Sequence, residues 1–227
     1  VDIEGMGATG LITYMRTDSL RISDVAKEEA AQYILNRFGE KFLPAKPRVF
    51  KTKSNAQDGH EAIRPSMPSL SPEDVKASLT SDQFKLYNLI WNRFMASQMS
   101  DCIQKTTQAE ISAKEYIFKA SGYYVDFEGF TTLYVESKDT EEEKSTQLPP
   151  LEKDMPVKCK ELKKNQHFTQ PPARYTEASL IKAPEKYGIG RPSTYAATIT
   201  TITSREYVKR EAKTLYPTEL GEVMTNL

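Results

Sequence analysis

Gly10-Leu11-Ile12-Thr13-Tyr14-Met15-Arg16-Thr17-Asp18-Ser19 is the stretch from which the chain is best understood. Residues 13–19 hold one phenol, one guanidinium, one carboxylate and three aliphatic hydroxyls. A tyrosine can act as a covalent nucleophile once its phenol is activated. A guanidinium two residues away can stabilise the charge that develops on an attacked phosphodiester. The residues alone also fit a structural role, in which Tyr14 is a packed aromatic and Arg16 pairs with Asp18.

A second polar stretch, Asp58-Gly59-His60-Glu61-Ala62-Ile63-Arg64-Pro65, contains one of the two histidines. A loop bounded by glycine and proline can present polar groups to a ligand. The imidazole of His60 and the guanidinium of Arg64 would suit a phosphate, although a lone histidine can also be structural. The sequence contains no metal-binding spacing, Walker loop or dinucleotide fingerprint, so it predicts no metal site.

The third stretch is Gly188-Ile189-Gly190-Arg191-Pro192-Ser193-Thr194-Tyr195, where two glycines precede a predicted helix. The free N–H groups of a helix start can bind a phosphate, with Arg191, Ser193 and Thr194 nearby. The alternative is a plain corner between two helices, capped by Ser193.

Composition limits the classes of protein to which the chain can belong. Its 227 residues are 38% hydrophobic and 27% charged, which is typical of a folded, soluble, multidomain chain. The 31 basic and 31 acidic side chains balance, so any DNA-binding surface must be local. The two cysteines lie far apart, which favours a reduced intracellular protein, and no apolar run could span a membrane. We expect a piece of a longer protein; a processed complete protein is the alternative.

Helical patterns occupy both ends of the chain. Ser23 can cap a helix that Gly39 ends, and a loop from Pro44 to about Pro72 follows. A second helix is predicted from Thr80 or Ser81. The expected apolar stripes are Val25, Ala30, Tyr33, Ile34 and Phe38 on the first helix, and Phe84, Tyr87, Ile90, Trp91, Phe94 and Met95 on the second. Near the end of the chain, we predict one helix from Thr176 and a break at 188–190. Another helix is predicted from Arg191, with Tyr195, Ile199 and Ile202 on one face. A hairpin of 207–210 with 214–216 should follow.

The middle of the chain predicts antiparallel strands. Residues 106–120, 123–127 and 130–135 alternate or are rich in aromatic and β-branched residues, and 157–162 could add a strand. Residues 139–144 should be an exposed acidic loop. The fold class is therefore multidomain α+β, with predicted domains at 1–100, 101–170 and 171–227.

Three motifs in this order change the interpretation. ITYMRTDS at 12–19, DGHEAIRP at 58–65 and PPARYTEASLIKAPEKYGIGRPSTYAATI at 171–199 resemble signatures of type IA DNA topoisomerases. The Tyr-Met-Arg-Thr-Asp form is similar to bacterial topoisomerase I, since the topoisomerase III branch usually has proline where Met15 stands.

The resemblance implies a four-domain toroid. Residues 1–100 would form a helical domain with the nucleophilic tyrosine, 101–170 a β-rich arch segment, and 171–227 part of a helical domain that binds one DNA strand. Tyr14 would join the 5′ phosphate of a cut strand and Arg16 would bind and polarise that phosphate. The remaining residues implied to contact DNA are Thr17, Asp18, Ser19, His60, Arg64, Arg191, Ser193 and Thr194.

The resemblance also implies an isomerase that relaxes negative supercoils without ATP, acts on single-stranded or underwound DNA, and is cytoplasmic and nucleoid-associated. Its Mg²⁺ would be held by a TOPRIM domain in cis. Neither that domain nor the family's zinc ribbons have a counterpart in this sequence. We therefore expect these residues alone to be inactive. Pro184 departs from the family, which usually has leucine there, and predicts a kink or an early helix end.

Two other functions remain open from the residues. Residues 176–216 could form a non-catalytic, winged-helix-like module with a basic hairpin at Lys209-Arg210, which would favour duplex DNA. Alternatively, the β-rich middle could be a protein-interaction scaffold without DNA affinity.

Overall fold

The computed structural model describes residues 1–15, 19–50, 61–135 and 147–226. The chain divides into two units, Val1–Lys158 and Cys159–Leu227, and each is described by itself. The domain boundaries predicted after residues 100 and 170 stay predictions. The acidic loop predicted at 139–144 lies outside the described residues.

The first unit begins with two short antiparallel strands, β1 (Asp2–Ile3) and β2 (Gly7–Ala8), followed by helix α1 (Asp24–Phe38). The hydroxyl of Ser23 accepts a hydrogen bond from the Ala26 amide at 3.4 Å, and the helix ends at Gly39, which has φ 92°. Both predicted caps are thus confirmed.

The buried face of α1 differs slightly from the predicted stripe. Ala26, Ala30 and Ile34, spaced four residues apart, are buried, whereas Val25 is 67% exposed. Because one residue turns the helix by about 100°, burial of Ala26 places Val25 on the solvent side. The prediction for Val25 was wrong.

Helix α2 (Pro72–Val75) is a single turn that begins where the predicted loop ends, and α3 (Ser81–Gln98) is the predicted second helix. The Thr80 hydroxyl caps α3 by accepting from the Gln83 amide at 3.3 Å. The core of this unit lies between α1 and α3. There, the Trp91 indole contacts the Tyr33 ring edge-on at 5.2 Å and donates to the Pro68 carbonyl at 3.0 Å. Tyr87, Trp91, Phe94 and Met95 of the predicted stripe are buried.

A long two-stranded hairpin follows, formed by β3 (Ile103–Ala113) and β4 (Tyr116–Phe127). This confirms antiparallel β structure in the middle of the chain. Most of its residues are exposed on both faces. At its base, Gly129 has φ 52°, and a Cβ atom there would collide with the Asp101 carbonyl. The Arg48 guanidinium fixes the same junction through the Met99 carbonyl at 2.9 Å and the Asp101 carboxylate at 2.6 Å.

Two predicted strands are absent from the described part of the chain. Residues 130–135 form the end of a short 3₁₀ turn, Gly129–Thr132, and then irregular backbone. Phe130 and Leu133 pack on the helical core from this turn, and the Phe130 amide donates to the Ser100 carbonyl at 2.9 Å, so their apolar character reflects core packing. Residues 157–162 are exposed without strand pairing.

The second unit contains helices α4 (Glu177–Tyr187) and α5 (Pro192–Ser204), strands β5 (Val208–Glu211) and β6 (Thr214–Pro217), and helix α6 (Glu219–Thr225). The predicted helices and hairpin are confirmed. Gly188 ends α4 in the left-handed region at φ 69°, and the Ile189 amide donates back to the Pro184 carbonyl at 2.8 Å. Helix α4 therefore continues past Pro184, and the predicted early end was wrong.

Helix α6 was not predicted. Thr218 caps it by accepting from the Gly221 amide at 3.1 Å. Among the described residues, no helix combines the length and apolar character that a membrane span requires.

Candidate active site

Thr13, which precedes the predicted nucleophile, is held by the second sequence motif. Its amide donates to the Arg64 carbonyl at 2.9 Å, and its hydroxyl donates to the Ala62 carbonyl at 2.7 Å. In return, the Arg64 amide donates to the Thr13 hydroxyl at 3.0 Å. Thr13 therefore makes backbone and side-chain hydrogen bonds to a segment that lies 49 to 51 positions away in the sequence.

The pairing extends on the N-terminal side. Ile12 forms an antiparallel bridge with Pro65, and the Ser66 amide donates to the Leu11 carbonyl at 2.9 Å. The Ser66 hydroxyl donates to the Gly10 carbonyl. The structure thus brings the described parts of the first and second motifs together, as short antiparallel pairing that no strand pattern in the sequence indicated.

Tyr14 lies at the end of this paired segment. Its side chain is 75% exposed, so the phenol projects from an anchored backbone into solvent. This differs from the packed aromatic that the residues alone left open. An exposed phenol on a fixed backbone is accessible to a macromolecular substrate.

The far side of the motif is anchored as well. The Ala62 amide donates to the Arg21 carbonyl at 2.8 Å, and the Arg21 amide donates to the hydroxyl of Ser19 at 3.2 Å. Ser19 is buried, so this predicted DNA contact sits inside the unit. Residues 10–13 and 19–21 therefore both depend on the 61–66 segment.

Arg64 is buried, with only 8% of its surface exposed. Its Nη2 donates to the Glu61 carboxylate at 2.7 Å and to the Ser23 hydroxyl at 3.3 Å. Its Nη1 donates to the Pro65 carbonyl at 2.8 Å. The Nε atom is also buried and has no hydrogen-bond acceptor among the described residues. The guanidinium thus links the second motif to the cap of α1.

Four predicted site residues, Arg16, Thr17, Asp18 and His60, lie outside the described residues. Their roles stay predictions. Sequence reasoning missed Thr13, Ser23 and Glu61 as partners in this region. The spacing of Glu61 and Arg64 as an i, i+3 ion pair was the one available signal.

The third motif lies in the second unit, at the start of α5. Arg191 precedes the helix, Pro192 is its first residue, and Ser193 is its second, so Ser193 is not the cap. The Thr194 hydroxyl instead accepts from the Arg191 amide at 3.0 Å. Arg191, Ser193 and Thr194 are all exposed.

The described residues contain no group of three or more histidine, cysteine, aspartate or glutamate side chains that could hold a metal ion. The residues that are described here therefore do not fit a Mg²⁺ site of their own.

Comparison with known proteins agrees with these motifs. A family model described as DNA topoisomerase matches residues 4–227. The chain belongs to this DNA topoisomerase family. The solved structure of full-length topoisomerase I from Thermotoga maritima is similar to it, with 36% sequence identity, a TM-score of 0.73 and coverage of 99% of this chain. The chain spans 36% of the length of that protein's chain.

The predicted resemblance to bacterial topoisomerase I is thereby confirmed. The mixture of helices and small sheets is that of a segment of such a protein. The individual domain assignments and the roles of the site residues stay predictions.

Proposed function

We propose that this chain supplies the nucleophile of a type IA DNA topoisomerase, and that Tyr14 is that nucleophile. The observation that carries the proposal is the combination of an exposed Tyr14 phenol with a backbone fixed through Thr13. A nucleophile held in one place avoids part of the entropic cost of reaching an attacking geometry.

The reaction would be a transesterification. The Tyr14 hydroxyl gives up its proton as its oxygen forms a bond to phosphorus, the bond from phosphorus to the 3′ oxygen breaks, and the leaving 3′ oxygen takes up a proton. The products are a 5′-phosphotyrosine and a free 3′ hydroxyl. Because the phosphodiester energy is retained in the adduct, the strand can be resealed without ATP after another strand passes. Underwound DNA offers single strands more readily, so negative supercoils would be relaxed.

The remaining roles are also proposals. Arg16 would polarise the scissile phosphate, and Thr17, Asp18 and His60 would contact DNA beside it. Mg²⁺ would supply charge stabilisation from a TOPRIM domain elsewhere in the protein. The described residues offer no such metal cluster, so the steps assigned to this chain are nucleophilic attack and DNA binding. The protein would act in the cytoplasm, on the nucleoid.

The nucleophile is tested by Tyr14→Phe in the intact protein. We expect DNA binding to be retained and the covalent adduct, trapped by denaturant and separated on a gel, to disappear. Tyr116→Phe is the matched control, because Tyr116 is also an exposed tyrosine but lies at the hairpin turn. Normal adduct formation in Tyr14→Phe would refute the assignment.

For the second unit we propose binding of a single strand at the start of α5, through Arg191, Ser193 and Thr194. The alternative is a winged-helix module that uses the β5–β6 hairpin. Two of its three basic residues are paired, Lys209 with Glu211 at 2.8 Å and Arg210 with Glu177 at 2.9 Å, which weakens that surface as a phosphate-binding wing. Lys209 has a raised pKa because it donates a hydrogen bond to the Glu211 carboxylate and is attracted to its charge.

The two alternatives predict different competition results. If α5 binds single strands, unlabelled single-stranded oligonucleotides should displace a labelled oligonucleotide better than duplex of the same sequence. Better displacement by duplex would favour the winged-helix alternative. No DNA affinity at low salt, where phosphate contacts are strongest, would favour a scaffold.

The 227 residues alone should show no relaxation of supercoiled DNA, since the metal and the leaving-group acid would come from outside them. Measurable relaxation by these residues alone would contradict this expectation.

A further inference from the structure

We infer that Arg64 and Glu61 form a positioning pair that fixes the Tyr14 segment, and that Arg64 acts through this pair instead of by binding a DNA phosphate. The inference rests on the proposed function, because it concerns how the Tyr14 nucleophile is held. It replaces the phosphate contact that the sequence motif implied for Arg64.

Both Nη atoms of the Arg64 guanidinium already donate hydrogen bonds to protein acceptors. Nη2 is shared between Glu61 and Ser23, and Nη1 donates to the Pro65 carbonyl, with the Ser66 carbonyl at 3.4 Å. The Nε atom is buried from solvent, so it is also shielded from a phosphate in solution. A phosphate would have to displace protein acceptors to reach this arginine.

The negative charge beside Arg64 also disfavours an anionic ligand. The carboxylate of Glu61 lies 2.7 Å from Nη2 and its side chain is 24% exposed, against 10% for Arg64. A carboxylate that is more exposed than the guanidinium it pairs with repels an approaching phosphate. The pair is thus suited to a structural link and poorly suited to binding an anion.

Arg64 bonds to two different parts of the first unit. The carbonyl of Arg64 accepts from the Thr13 amide and its amide donates to the Thr13 hydroxyl, directly before Tyr14. The side chain of Arg64 donates to Ser23, the cap of α1. One residue therefore joins the nucleophile's segment to the helical core. Loss of the side-chain bonds removes this link between the 61–66 segment and the cap of α1, and we expect it to loosen the backbone on which Tyr14 is carried.

The test uses the intact protein with two substitutions, Arg64→Lys and Glu61→Gln. Affinity for a single-stranded oligonucleotide is measured over a range of salt concentrations, and the rate of covalent adduct formation is measured in a single turnover. For a positioning pair, both variants should form the adduct at least about tenfold more slowly, a loss typical of misplaced catalytic groups. Their affinity should stay within about twofold, and the dependence of log K on log salt should be unchanged.

A phosphate contact gives the opposite pattern. Arg64→Lys would then alter affinity or its salt dependence, and Arg64→Gln would reduce the salt slope by about 0.7 for one lost single-strand contact. Glu61→Gln would leave binding equal or tighter, since it removes a negative charge, and would not slow the adduct. Either result would overturn the inference.

Arg48→Lys serves as the matched control for general destabilisation. Arg48 also bonds to a carbonyl and a carboxylate, but at the hairpin base. It should lower thermal stability without slowing the adduct. If it slows adduct formation as much as Arg64→Lys does, positioning by Arg64 is refuted.

Should Arg64→Lys fail to fold, Glu61→Gln alone decides, because only a positioning pair predicts slower adduct formation in that variant. Tyr14→Phe reports separately on the nucleophile, so failure of this inference leaves the proposed function standing.

Discussion

The Thr13 hydroxyl offers a direct measure of how firmly the Tyr14 segment is held. It donates to the Ala62 carbonyl at 2.7 Å and accepts from the Arg64 amide at 3.0 Å. Thr13→Val keeps the shape of the side chain and removes both bonds. A hydrogen bond contributes about 1 kcal/mol net, and more when a buried partner is left unsatisfied. Both partners lie in partly buried segments, so we expect the local pairing to lose about 2 kcal/mol.

A loss of about 2 kcal/mol corresponds to roughly thirtyfold more frequent local opening. Hydrogen exchange measured by mass spectrometry on the intact protein reports this opening directly. The best reporters are the amide at position 13 and that of Ser66, because their acceptors, the carbonyls of Arg64 and Leu11, are untouched by the substitution. Amides in the β3–β4 hairpin should exchange at their original rate.

Thr13→Ser is the matched control, since it retains the hydroxyl and removes only a methyl group. It should change the exchange rate at the reporter amides by no more than about threefold. That corresponds to a change of about 0.7 kcal/mol in the free energy of local opening. Equal loss of protection in both variants would show that the methyl group, not the hydroxyl, holds the segment. Unchanged protection in Thr13→Val would refute the reasoning altogether.

Two further predictions concern the core and α4. Burial, and then a nearby carboxylate, raises the pKa of Tyr87 above its usual range, and its hydroxyl donates to the Leu70 carbonyl at 2.7 Å. The folded state therefore holds the phenolic proton more tightly, so this contribution is complete below about pH 10 and is lost as pH rises above it. Denaturation of the intact protein should show that the stability advantage over Tyr87→Phe shrinks above about pH 10; an advantage that grows would contradict the sign. In α4, Pro184→Ala restores a backbone donor in the helix interior and should stabilise α4 by about 1 to 3 kcal/mol, seen as slower amide exchange there. Pro192→Ala, at the first position of α5, should give no such gain because that amide has no helical partner, and an equal gain at both sites would count against the explanation.

Helix ends were predictable because short-range chemistry sets them. Ser23, Thr80 and Thr176 each place a hydroxyl where a helix leaves amides unpaired, and Gly188 adopts the left-handed backbone that ends α4. These interactions span only a few residues, so they are written in the local sequence. The same holds for the β5–β6 hairpin, whose strands are neighbours along the chain.

Packing of apolar segments could not be predicted in the same way. The stretch at 130–135 has the composition of a strand, but Phe130 and Leu133 pack on the helical core from a 3₁₀ turn. An apolar composition predicts that a segment is buried. It does not predict which part of the protein the segment packs against. Nearby, α2 was missed because one turn is too short to show a periodic pattern.

The candidate site was partly predictable for a related reason. The motifs located Tyr14 and the second stretch, yet the burial of Arg64 depends on Ser23, forty-one positions away in sequence. A charged side chain in a polar, proline-bounded stretch is expected to be exposed. Only the tertiary structure shows that Glu61 and the α1 cap accept hydrogen bonds from its Nη2 atom.

The β3–β4 hairpin has a mechanical consequence. Eleven residues of extended strand span roughly 37 Å, and the ribbon is fixed at one end, where Gly129 packs against the Asp101 carbonyl. The hairpin is therefore a long, exposed ribbon that is held at a short, closely packed base. A rotation of about 10° at the base displaces the far turn by roughly 6 Å. A small rotation of the packing around Arg48 and Gly129 would thus move the far turn by more than the spacing of about 4.8 Å between neighbouring strands.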